Sequence, residues 1–270
     1  MKQIATLKSK YRYSLILLRE LVVTDFKLRY QSSVLGYLWS LLRPLALFAI
    51  LYLVFSEFLK VGDSIPHYPI YLLTGIVLWN FFGEVTNGSV SAIVNKGDLL
   101  RKINFPKYVI LLATSFSALI NLSINILVIV VLASLVGVDV SISAFALPFL
   151  LLEFFVFALA TGFLLSALFV KFRDVNYIWE VMMQGLFYAT PILYPLSLVP
   201  SQFAHILLLN PAAQIIQDIR YVAITQDTQT IATVFGTPFA RLIPIGIVIL
   251  ISIIAISYFK KKSDNFAEEI

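Results

Sequence analysis

Apolar residues in this chain run in long blocks separated by short polar breaks, a pattern that argues for membrane-crossing helices. The blocks run from Leu38 to Leu59, Tyr68 to Ile93, Val109 to Val136, Phe145 to Val170, Tyr177 to Pro195 and Leu242 to Phe259. Each approaches the roughly 20 apolar residues that one helix needs to cross the hydrocarbon of a bilayer. The pattern therefore predicts an all-α integral membrane protein with six transmembrane helices. The second block turns polar in its later half at Glu84, Asn87 and Ser89, and the fourth carries Glu153 beside the small pair Thr161 and Gly162.

Composition agrees. Of 270 residues, 60% are hydrophobic and 13% charged, and the mean hydropathy is +0.91. Such a length holds the helices and their connections but not a large soluble catalytic domain. The net charge of +5 belongs to the membrane surface rather than to nucleic acid, because Lys and Arg are concentrated beside the blocks on one side. Lys2, Lys8, Lys10, Arg12, Arg19, Lys27 and Arg29 precede the first block, and Lys96, Arg101, Lys102 and Lys107 follow the second. Lys171 and Arg173 follow the fourth, and Lys260 to Lys262 follow the last. The opposite side has Lys60, Arg220 and Arg241. Both termini are thus expected in the cytoplasm, with no cleavable signal peptide. Domain boundaries follow: a cytoplasmic segment over 1–37, a membrane domain over 38–259 and a tail over 260–270.

Three segments between the blocks invite further reading. Tyr13 to Gln31 suits an interfacial amphipathic helix, with Glu20, Thr24, Lys27 and Gln31 on one stripe and Leu15, Leu18, Val22 and Phe26 roughly opposite. Asp25 and Arg29 project into its apolar sector, four residues apart, and can pair across one turn. Gly97 to Lys107 predicts a short helix. Asp98 caps it, Leu99, Leu100 and Ile103 are its apolar residues, and Phe105-Pro106 ends it. Such a helix suits docking into a soluble partner, and the same residues also suit an ordinary basic loop. From Ser197 to Thr237, Pro200 and Pro211 punctuate runs too short to cross a membrane, as expected of an external re-entrant segment.

Chemistry in the usual sense is missing. No phosphate-binding loop of the G-x-x-x-x-G-K-[ST] type occurs, and His67 and His205 lack metal-ligand spacing. No catalytic residue, metal site or resident cofactor is expected, and with no cysteine there are no disulfides. Glu84 and Glu153 are pathway or packing candidates, since acidic residues within membrane helices usually face the bundle interior. Aromatic rings suit the apolar faces of sugars, so Trp79, Phe82, Tyr188 and Tyr194 are candidates to line a conduit with Glu84 and Asn87.

These residues also carry a resemblance. Leu18-Arg19-Glu20-Leu21 through Asp25-Phe26-Lys27-Leu28-Arg29-Tyr30, then Ser33-Val34-Leu35-Gly36-Tyr37-Leu38-Trp39 with Pro44 beyond, are similar to the opening of ABC-2 type permeases for polysaccharide or polyol-phosphate export. Leu99 to Lys102, Asn104-Phe105-Pro106, Arg173-Asp174-Val175, Thr190-Pro191-Ile192-Leu193-Tyr194-Pro195 and Asn210-Pro211 follow in the family's order. The resemblance implies a homodimer of this chain working with two copies of a separate ATPase that holds ATP and Mg. Asp98, Leu99, Leu100, Arg101, Lys102, Phe105 and Pro106 would form the coupling region, and the helix with Asp25, Lys27 and Arg29 would frame the cytoplasmic entrance. It also implies an O-antigen-like, undecaprenyl-linked polysaccharide as substrate at a bacterial inner membrane, with teichoic acid as the alternative. An ion-coupled small-solute carrier is the alternative from another class.

Overall fold

A computed structural model describes residues 13–25, 27, 33, 35–102, 105–139, 141–263 and 266. The regular structure among those residues is all helical, without a strand. Helix α1 covers 13–25. Helix α2, Trp39–Tyr52, contains Pro44 and widens into a π-helix over Leu53–Phe58. Helix α3, Tyr68–Val90, is followed by the short α4, Gly97–Lys102. The long helices α5, Tyr108–Val136, and α6, Leu147–Lys171, come next. Then follow α7 (Val175–Ala189), α8 (Ser201–Leu207), α9 (Pro211–Ala223) and α10 (Leu242–Ser263).

Among the described residues, four helices are long and apolar enough to cross a membrane: Gly36–Phe58, Tyr108–Val136, Ile142–Lys171 and Pro238–Ser263. This corrects the expectation of six transmembrane helices, because the blocks at 68–93 and 177–195 do not qualify. The later block is helical only over the 15 residues of α7, about 22 Å at 1.5 Å per residue, against a hydrocarbon core of about 30 Å. Thr190-Pro191 stops it, with Thr190 already in an extended conformation. Helix α3 has 23 residues, but Asn80, Glu84 and Asn87 break its apolar character.

Instead, α3 is the internal helix of the bundle. Tyr71, Leu72, Leu73, Ile76 and Leu78 are buried, as are Phe81 and Phe82, and α2, α5, α6, α7 and α9 all pack against it. Small residues let the neighbours approach closely. A Cβ on Gly162 would lie 2.6 Å from Ser89 Oγ, and one on Gly88 2.8 Å from Thr114 Cγ2. The outward faces of α5, α6 and α10 keep Leu127, Val130, Leu135, Phe149 and Ile253 exposed, as suits a surface solvated by lipid.

The two ends of the bundle differ. One gathers Leu21 of α1, Ile93, Leu100, Phe105, Val170, Phe259 and Phe266 into one apolar cluster, and Lys107 donates to the carbonyl of Ser263. That end also holds the basic connections. The other gathers α8, α9 and the turn after α7.

Candidate functional site

Four helices each direct polar side chains at a spacing that repeats on one helical face. On α3 these are Asn80, Glu84 and Asn87; on α5, Asn121 and Asn125; on α7, Glu180 and Gln184; on α2, Ser40 and Arg43. At 100° per residue the three on α3 lie within about 60° of one another. All nine line one cavity of about 820 Å³, together with Trp39, Trp79, Phe187 and Tyr188. The cavity opens along α2 and α7, where Arg43, Glu180 and Gln184 are exposed.

Its inner wall is ordered by hydrogen bonds. Asn121 Nδ2 donates to Glu84 Oε1 at 2.7 Å, a charge-assisted bond across α5 and α3. Asn125 Nδ2 donates to the Asn121 carbonyl at 2.9 Å and to the Ser40 carbonyl at 3.3 Å. The Asn121 side chain is 6% exposed, yet its Oδ1 accepts from no donor among the described residues.

The conduit candidates separate by position. Trp79, Glu84, Asn87 and Tyr188 line the cavity. Tyr188 is 67% exposed, whereas Trp79 is buried against Phe82 and Phe187, with ring centroids 5.7 and 6.2 Å away. Phe82 lies behind the wall, stacked on Phe157 and Phe154 at 5.2 and 5.9 Å. Tyr194 lines a separate apolar recess of about 540 Å³ with Leu198, Phe203 and Ile206, and its hydroxyl donates to the Tyr188 carbonyl.

At the basic end, α4 carries the candidate coupling residues. Leu100 and Phe105 are buried in the apolar cluster and Leu99 packs against it, while Asp98, Arg101 and Lys102 are exposed and Pro106 is half-buried. The helix is thus fastened to its own chain by leucines and presents its charges outward. In α1, Lys27 is exposed and Asp25 half-buried; Arg29 lies outside the described residues, and with it the expected Asp25–Arg29 pair. The Asp25 charge also acts on Lys96. Burial holds the Lys96 ammonium below its usual pKa, and Asp25 opposes that shift.

The sequence placed Arg220 only among the few cations opposite the basic side. It is fully buried, at 0% exposure. Its guanidinium donates to the carbonyls of Tyr71, Pro191 and Ile192 at 3.0, 2.6 and 2.8 Å, and to Gln217 Oε1 at 3.1 Å. It also lies 3.6 Å from the Tyr71 ring centroid. Desolvation lowers its pKa, and Tyr71 and Tyr68 oppose that shift. Next to it, Asp218 is bridged to Arg241 at 3.3 Å and accepts from Gln214 at 2.7 Å. Sequence reasoning also missed the paired Asn121 and Asn125 and the paired Glu180 and Gln184, whose signal was the four-residue spacing itself.

A bundle of apolar helices around one polar, laterally open cavity, with a charged helix at its basic end, has the form of a membrane transporter subunit. A family model for the ABC-2 type transporter matches residues 16–224, and the chain belongs to that family. It is 30% identical to an O-antigen export system permease protein of Klebsiella pneumoniae over 96% of this chain and 98% of that one. It is also 30% identical to an O-antigen export system permease protein of Myxococcus xanthus, over 99% and 100% of the two chains. A polysialic acid transport protein of Escherichia coli is 24% identical over 78% of this chain and 82% of its own.

Proposed function

We propose that this chain is the membrane subunit of an exporter that moves an O-antigen-like, undecaprenyl-linked polysaccharide from the cytoplasmic to the outer face of a bacterial inner membrane. The observation that carries the reading is its end-to-end similarity to O-antigen export permeases. The cavity supports it, because a polymer tethered to lipid at one end cannot use a closed pocket, and this one opens along a flank. Two copies of the chain pair with two copies of a separate ATPase. The basic end faces the cytoplasm, in keeping with the positive-inside rule, and the ATPase docks on α4 through Asp98, Arg101 and Lys102.

The test is reconstitution of the chain with its ATPase in vesicles and measurement of ATP-driven movement of a lipid-linked polysaccharide. Charge reversal at Arg101 and Lys102 together is expected to abolish the stimulation of ATPase by the permease while leaving the permease in the membrane at normal abundance. Normal stimulation and normal export in that double variant would refute the docking assignment.

A further inference from the structure

The cavity wall is rich in carboxamides. Five carboxamides, Asn80, Asn87, Asn121, Asn125 and Gln184, share it with two carboxyl side chains, Glu84 and Glu180, and one guanidinium, Arg43. A carboxamide donates and accepts without net charge, so it matches sugar hydroxyls in either sense. A wall built for anions would instead carry Arg and Lys, whose donors pair with phosphate and carboxylate.

The buried groups sharpen this. Glu84 holds one Asn121 amide hydrogen at 2.7 Å, and Asn121 Oδ1 is left as a buried acceptor with no donor among the described residues. An orphaned buried acceptor is costly and calls for an O–H or N–H from a ligand. A hydroxyl supplies one, whereas a phosphodiester oxygen only accepts.

Resting on the exporter reading above, we propose that this cavity is a specificity site for uncharged, hydroxyl-rich glycans, and that Glu84 and Glu180 turn away polymers bearing an anion in every repeat. Asn121 Oδ1 accepts from a sugar hydroxyl, and the amides of α3, α5 and α7 exchange hydrogen bonds with passing repeats. A diphosphate at the lipid end presents its charge once per molecule. A polyol phosphate presents one at every repeat, so each advance brings another anion against the same two carboxylates.

The experiment uses the whole permease–ATPase complex in proteoliposomes, with undecaprenyl-diphosphate-linked polymannose and poly(glycerol phosphate) of matched length as probes. The wild type is expected to move polymannose at least about tenfold faster than the phosphate polymer, as repeated like-charge repulsion implies. The E84Q/E180Q double variant should lose most of that ratio by moving the phosphate polymer faster, since glutamine keeps the hydrogen-bonding capacity and removes the charge. Asn121→Leu should slow polymannose at unchanged membrane abundance. Equal wild-type rates for the two probes would overturn the proposal while leaving the exporter reading intact, as would an unchanged ratio in the double variant. Movement of neither probe, with ATP hydrolysis proceeding, would overturn the exporter reading and this proposal with it.

Discussion

The two halves of α3 treat buried polarity in opposite ways. Near its start, the Tyr71 carbonyl helps hold Arg220, whose guanidinium donates to four acceptors and stacks on a ring. Near its end, Glu84 has its Asn121 partner, but the buried Asn121 side-chain oxygen Oδ1 has no donor among the described residues. A buried cation with four of its five N–H donors closed within the protein is a structural fastener. An unsaturated amide on an open wall leaves capacity for something that passes. Around one helix, satisfaction of hydrogen bonds therefore separates the part that holds the fold from the part proposed to meet a substrate.

The contrast breaks most readily at the fastener. Arg220→Met leaves the carbonyls of Tyr71, Pro191 and Ile192 without their donor in a buried site, at an expected cost of about 3–5 kcal/mol, by analogy with breaking a buried pair. Thermal unfolding in detergent measures it, and Arg220→Lys should rescue little, since an ammonium cannot reproduce the guanidinium fork. A loss below 1 kcal/mol would remove the structural role assigned to it. Gly75→Ala should cost less, about 1–3 kcal/mol of overpacking, because the new Cβ would lie 2.2 Å from Arg220 Nη2. In the Arg220→Met background the penalty should shrink, a coupling that a double-mutant cycle reads directly. Smallest of all is Tyr188→Ala, at an exposed position on the cavity rim, with an expected stability change within about 0.5 kcal/mol. It should slow export of long glycans all the same, read in a polymer-export assay beside membrane abundance; unaltered export would take Tyr188 off the conduit.

The sequence made the apolar blocks, the basic end and the short helix at Gly97–Lys102 legible, since length and charge are local signals, although Asp98, expected as its cap, lies inside its first turn. It did not distinguish a helix sheathed in protein from one bathed in lipid. Leu72, Ile76 and Leu78 read the same in either setting, because lipid tails are as apolar as a protein interior. That is why α3 passed for a span. The cavity was partly legible through Glu84, Asn87, Trp79 and Tyr188. Its remaining amides sit singly or in pairs on separate helices and converge only in three dimensions. Phe82 is the converse, an aromatic of the right type whose helical face points at Phe154 and Phe157 rather than at the opening.

Arg220 binds main-chain oxygens at residues 71, 191 and 192, and every amino acid brings a main-chain oxygen. As far as this contact is concerned, side chains at 191 and 192 are free to vary, provided the backbone keeps its path. Position 75 has no such freedom, because any side chain there enters the space of the guanidinium. A saturation library of the chain should therefore show more tolerance at Pro191, which Arg220 holds by a main-chain oxygen, than at a glycine that forms no hydrogen bond with it. A reader of sequence variation alone would pair position 220 with 75 and overlook its main-chain partners.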